Sequence, residues 1–148
     1  MMVHFPIVLA CASLMMMIFL LLSRGKSTTL RRIILAMLLA GGFIAWLASQ
    51  AGTGAMDRLE LPLTDDAQRL LASHESMGQK VWIFFVIAAA FTAMTGLRFR
   101  LIRYPALILA MLAMLFLTGW VSIVAHEGGS LVYRHGTGVP ASTNNVNL

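Results

Sequence analysis

The sequence predicts an all-α membrane protein, a four-transmembrane-helix up-and-down bundle with both termini periplasmic. Three observations carry that reading. Hydrophobic residues make up 59% of the 148 positions and charged residues 11%, with a mean hydropathy of +0.82, which an ordinary soluble domain does not tolerate. Four apolar stretches are each long enough to cross a hydrocarbon core of about 30 Å. Seven of the eleven basic residues, Arg24, Lys26, Arg31, Arg32, Arg98, Arg100 and Arg103, fall in two short connections that hold no acid.

The first span runs from about Phe5 to Leu22 (FPIVLACASLMMMIFLLL). Pro6 falls in its first turn, where the missing N–H is harmless, and Cys11 reads as a small apolar packing residue rather than a lipoprotein cleavage site. The second runs from about Ile33 to Ser49, the third from about Val81 to Leu97 and the fourth from about Ala106 to Ala125. Helices are expected because strands lack the closed barrel that would satisfy their edges in lipid. Between the second and third spans, Ala51 to Lys80 reads as a connection. In it Ser73 is expected to cap the third helix, with Glu75 in the first turn against the positive dipole end. Gly128 and Gly129 are expected to end the fourth helix, after which SLVY folds back and brings His135 towards the bundle.

The bundle occupies 1–139 as one domain, and the polar tail PASTNNVNL occupies 140–148. Bases concentrate on cytoplasmic loops. The connections after the first and third spans are therefore expected to face the cytoplasm, in a protein that crosses the cell membrane several times. The net charge of +5 then reflects topology and calls for no nucleic acid.

Sidedness gives the histidines their interest. His4, His74, His126 and His135 all fall on the outer side, and ionisable residues at the ends of membrane bundles commonly mark ion, proton or cofactor sites. Facing helices can converge imidazoles at one depth. The spacings lack the short i, i+4 pairs of zinc or copper sites, and no CxxCH is present for covalent haem. Haem b suits the residues better: one or two axial histidines, close backbone approach at Gly41, Gly42, Gly78, Gly128 or Gly129, and cations at Arg58, Arg69 and Arg134 for the propionates. Two haems with two histidines each, or one haem with two spare histidines, are both open. The same residues also have plain roles, since interfacial histidines serve as polar tips, glycines let membrane helices pack, and outer arginines contact lipid headgroups.

The opening VHFPIVL, the run AGTGAMDRLELPLTDDAQRLLASHESMG and the close GWVSIVAHEGGSLVYRHGTGV resemble the bacterial membrane family DUF2231. That family has a VHFPI-like opening, a TGxxA then HExxG outer segment, and a GGxLVYxHGxGV close. The resemblance covers Val3 to Val139. It points to His4, to His74 with Glu75 and Gly78, and to Gly128, Gly129, Tyr133, His135 and Gly136, while His126 falls where relatives vary. Two departures stand out. Relatives often carry an extra HP ahead of the opening, where this chain has Met1-Met2, and TGAMD places Met56 before Asp57, which is given no chemical role. The resemblance implies a membrane redox context, because relatives occur fused to or beside Rieske-type and cytochrome modules.

The function expected is a haem b-binding electron-transfer subunit, rather than a stand-alone enzyme, working at the periplasmic face between quinol and a cytochrome c-type acceptor. The lipid bilayer and other membrane subunits would be its partners. The alternative is a non-catalytic accessory subunit of a larger respiratory or photosynthetic complex. A metal or proton transporter is less favoured, because no acid or histidine lies mid-span.

Overall fold

Lipid offers no hydrogen bonds, so each crossing segment must satisfy its backbone within itself. The apolar stretches accordingly form helices. The computed structural model describes residues 4–56, 64–97 and 99–135, and these contain helices α1 (His4–Leu22), α2 (Thr28–Met56), α3 (Asp65–Gly78), α4 (Val81–Met94) and α5 (Arg100–His135) with no strand among them. Four segments are long and apolar enough to cross a membrane: α1, most of α2, α3 together with α4, and nearly all of α5. α1 packs on α2 and α5, and α4 packs on the same two, so the long helices form a ring in the order α1, α2, α4, α5.

Tight turns make neighbours antiparallel. Between α1 and α2, Arg24 (φ 53°) and Gly25 (φ 70°) take left-handed conformations, and their N–H groups close the end of α1 on Leu21 O and Leu20 O, each at 2.9 Å. Glycine tolerates that geometry and ends helices for this reason. Ser27 then caps α2, its Oγ accepting from Leu30 N at 3.2 Å. At the same end of the bundle, Arg31 Nη1 donates to Thr95 O at 3.1 Å and so closes the end of α4. The hydroxyls of Thr92 and Thr95, both fully buried, donate at 2.7 Å to Ala88 O and Thr92 O of their own helix turn, which spares the core an unpaid polar group.

Phe85 is the largest side chain in the core, packed with Met17, Leu20, Ile34, Leu38, Met114 and Leu117. Its ring lies where a side chain at Gly41 would be, and its Cβ is 3.1 Å from the position of a Cβ at Gly42. The glycine pair on α2 is therefore a seat for α4. Cys11 does not pack inside as expected; it is exposed on α1.

Other bounds differ from the sequence reading. Much of the connection before the third span is helical: α2 runs on to Met56, and α3 begins at Asp65 behind the cap Thr64, whose Oγ1 accepts from Ala67 N at 3.4 Å. Ser73 is thus interior to α3 and does not cap, and Glu75 lies in its last turn. α3 meets α4 through Gln79 and Lys80, which keep right-handed helical angles, so the chain runs on from one to the other in the same sense. α5 does not stop at Gly128 and Gly129; it runs 36 residues, about 54 Å. Each interior glycine costs up to about 1 kcal/mol of helix propensity, and packing of this segment on α3 offsets that cost. Pro105 lies early in α5, where few backbone bonds are lost.

The tryptophans lie towards one end of the bundle. Trp120 of α5 meets Phe84 of α4 at 5.0 Å between ring centroids, Trp82 opens α4, and the Gly42 position lies 3.8 Å from Trp82 O, one turn before Trp46. The three indoles share a level on neighbouring helices, as in an interfacial aromatic belt. Beyond it lie α3 and the last third of α5.

Replacing Gly41 with Ala drives a methyl into the Phe85 ring. We expect a loss of about 1–3 kcal/mol, seen as a lower melting temperature in detergent, with part of the loss recovered when Phe85→Leu is added.

Candidate functional site at the contact of α3 and α5

Above the tryptophan belt, α3 and α5 run antiparallel, and a series of contacts sets their register. Trp120 Nε1 donates to Met77 O at 3.1 Å, and the Gly78 position is 3.9 Å from Val124 Cγ1. A turn earlier on α3, Ser73 Oγ donates to Glu127 Oε1 at 3.1 Å. His74 lies over Gly128: a Cβ there would be 2.9 Å from His74 Cε1 and 3.4 Å from its Nε2. Gly128 is therefore the position at which the imidazole can approach the α5 backbone. Gly129 has nothing within 4 Å of its Cβ position.

The polar atoms here are incompletely paired. His74 Nδ1 and Glu127 Oε2 are both buried and neither has a hydrogen-bond partner. A buried donor or acceptor left unpaired costs about 1–3 kcal/mol. Two such atoms on facing helices call for a group from outside the protein, whether water or a polar ligand.

Of the residues singled out from sequence, His74, Gly78 and Gly128 sit in this contact. His126, two positions before Gly128 on α5, is exposed, as are Arg69 on α3 and Arg134 in the last turn of α5. The backbone topology brings the first residue of α1 and the last of α5 to this same end of the bundle, so His4 and His135 belong to it by position; their side chains, and all of Arg58, lie outside the described residues. Gly41 and Gly42 are taken up by Phe85. Glu127 was not singled out, although it stands beside two glycines at the end of an apolar run. Its importance rests on the α3–α5 register, which no local spacing reveals.

The comparisons with known proteins bear on the whole chain. Residues 1–141 match the family described as "Predicted membrane protein (DUF2231)". The chain belongs to that family. No curated protein and no solved structure matches it. The DUF2231 match agrees with the resemblance carried by the opening, central and closing motifs, and the central and closing ones supply His74, Gly78 and Gly128 to the α3–α5 contact.

A b-type haem is the cofactor the sequence reading raised, and the donor set can be tested against it. In this DUF2231 protein His74 offers an imidazole between two helices, with a ring nitrogen unclaimed by the protein and a glycine in place of a bulky neighbour. That fits a group held by one or two imidazoles. Among the described residues no three His, Cys, Asp or Glu converge as a metal cage would require.

Gly128→Ala and Gly129→Ala separate the seat from its neighbour. The first pushes a methyl against the His74 ring, with an expected cost of about 1–2 kcal/mol. The second adds a better helix former in open space and is expected to gain up to about 1 kcal/mol, both read as melting temperatures in one detergent.

Proposed function

We propose that this protein is an electron-transfer subunit of the bacterial inner membrane. In this reading it holds a b-type haem through His74 and exchanges electrons between membrane quinol and a c-type cytochrome at the periplasmic face. The observation that supports this is the seat of His74, an imidazole packed on Gly128 with Nδ1 buried and unpartnered. His4 or His135 would supply the second ligand, from the end of the bundle where the topology gathers them. Haem, when bound, supplies one-electron chemistry whose potential depends on its axial ligands and surroundings.

The chain's own residues have distinct parts. Oxidation of a quinol releases protons with its electrons, and Glu127 is the group placed to take one: Oε2 is unpartnered while Oε1 is held by Ser73. Ser73 thereby orients the carboxylate. Arg69, Arg134 and Arg58 are the cations at this end that would meet propionates. Seven bases at the opposite end support the orientation, with both termini outside.

A second reading, a non-catalytic accessory subunit of a larger complex, draws support from an apolar groove on the α4–α5 flank lined by Phe84, Ile87, Leu109, Leu112 and Phe116, which suits a neighbouring helix.

The visible spectrum of the purified protein separates the readings. Reduction with dithionite is expected to give α and β bands, and His74→Ala is expected to lower bound haem at least tenfold. A colourless protein, unchanged by His74→Ala, supports the accessory subunit instead. For orientation, alkaline phosphatase fused after Leu148 is expected to be active and a fluorescent protein at the same position dark; the reverse pattern inverts the topology.

A further inference from the structure

The end of the bundle opposite the histidines is strongly basic, with no acid between residues 23 and 32 or between 95 and 103. Two of its arginines are held by the fold in different ways. Arg31 is served by the protein, its Nη1 on Thr95 O at 3.1 Å and its guanidinium against Gly96, where a Cβ would lie 3.3 Å from Nε. Arg103 is not. Its stem crosses the α1–α2 turn, with Cδ 3.5 Å from the Cβ position of Gly25, and its Nε is buried with no hydrogen-bond partner.

A guanidinium keeps its charge, so this N–H cannot relieve its burial by losing a proton. Its position adds to the cost: Arg103 stands in the first turn of α5, at the positive end of the helix dipole, where a cation is disfavoured. The turn it crosses carries Arg24 and Lys26 on either side of Gly25, and the left-handed angles of Arg24 and Gly25 fix that turn against α5. The turn that the Arg103 stem crosses thus adds two further cations, both exposed, and no acid lies in either connection. One turn before Arg103, at the entry to α5, Phe99 is 70% exposed, giving the same side an apolar flank.

We propose that Arg103, with Arg24 and Lys26 of the α1–α2 turn, forms a binding site for a phosphate-bearing anion at the membrane surface. Bidentate pairing of guanidinium with phosphate oxygens is the chemistry that satisfies such a fork, and basic pockets between membrane helices hold phospholipid headgroups in this way. The phosphate can arrive on an anionic lipid, whose acyl chains would lie on Phe99, or free in solution.

The test uses the full chain in an uncharged detergent, with melting temperature and native mass spectrometry as readouts on adding phosphatidylglycerol, phosphatidylcholine or inorganic phosphate. Phosphatidylglycerol is expected to raise the melting temperature by several degrees and to remain bound, with at least tenfold preference over phosphatidylcholine. Arg103→Gln is expected to weaken this at least tenfold, Arg103→Lys to retain part of it, and Lys80→Gln, at the far end, to leave it unchanged. Stabilisation by phosphatidylglycerol alone assigns a lipid headgroup; stabilisation by inorganic phosphate as well assigns a free phosphate. Equal response to both lipids with none to phosphate overturns the site, as does Arg103→Gln binding phosphatidylglycerol like the wild type. Should Arg103→Gln fail to fold, the wild-type lipid preference and the Arg103→Lys comparison decide.

Discussion

Helices already in lipid gain little hydrophobic free energy by touching one another, so association rests on how closely their backbones can approach. Here that approach is set by side chains sunk into glycine positions. Phe85 of α4 enters the gap at Gly41 and Gly42 of α2, and His74 of α3 enters the gap at Gly128 of α5. The first holds the spanning ring together. The second, outside the tryptophan belt, decides which polar groups meet, since the register that seats His74 also delivers Ser73 to Glu127.

The spans were legible because hydropathy is a sum over about twenty residues and needs no tertiary information. Their ends were not. Gly128 and Gly129 look like a helix stop when judged by propensity, yet α5 passes through them because a neighbouring helix uses the space that glycine leaves. Likewise the polar sequence ahead of Val81 looks like a loop, but it packs on α5 and on α2 and becomes α3. Propensity is a weak prior wherever contacts of this kind exist. Trp46, Trp82 and Trp120 could have been read as a belt from sequence, since each sits towards the end of its span opposite the basic connections.

The candidate site was half legible. His74 and Gly78 stand out as residues, and the central motif of the family marks them. That His74 lies on Gly128, or that Glu127 rather than Glu75 shares the contact, depends on two helices sliding to one register. His126 shows the converse: it is prominent in the sequence beside two glycines, but two positions along a helix is over half a turn, and it faces outward.

α5 is also the longest element, 36 residues against 29 in α2. After Pro105 it is an unbroken rod, with Arg103 just before that proline and the glycine seat of the imidazole near its far end. One helix therefore carries groups at both ends of the bundle, Arg103 against the α1–α2 turn and Gly128 beneath His74, so a shift of α5 along its axis would displace both together.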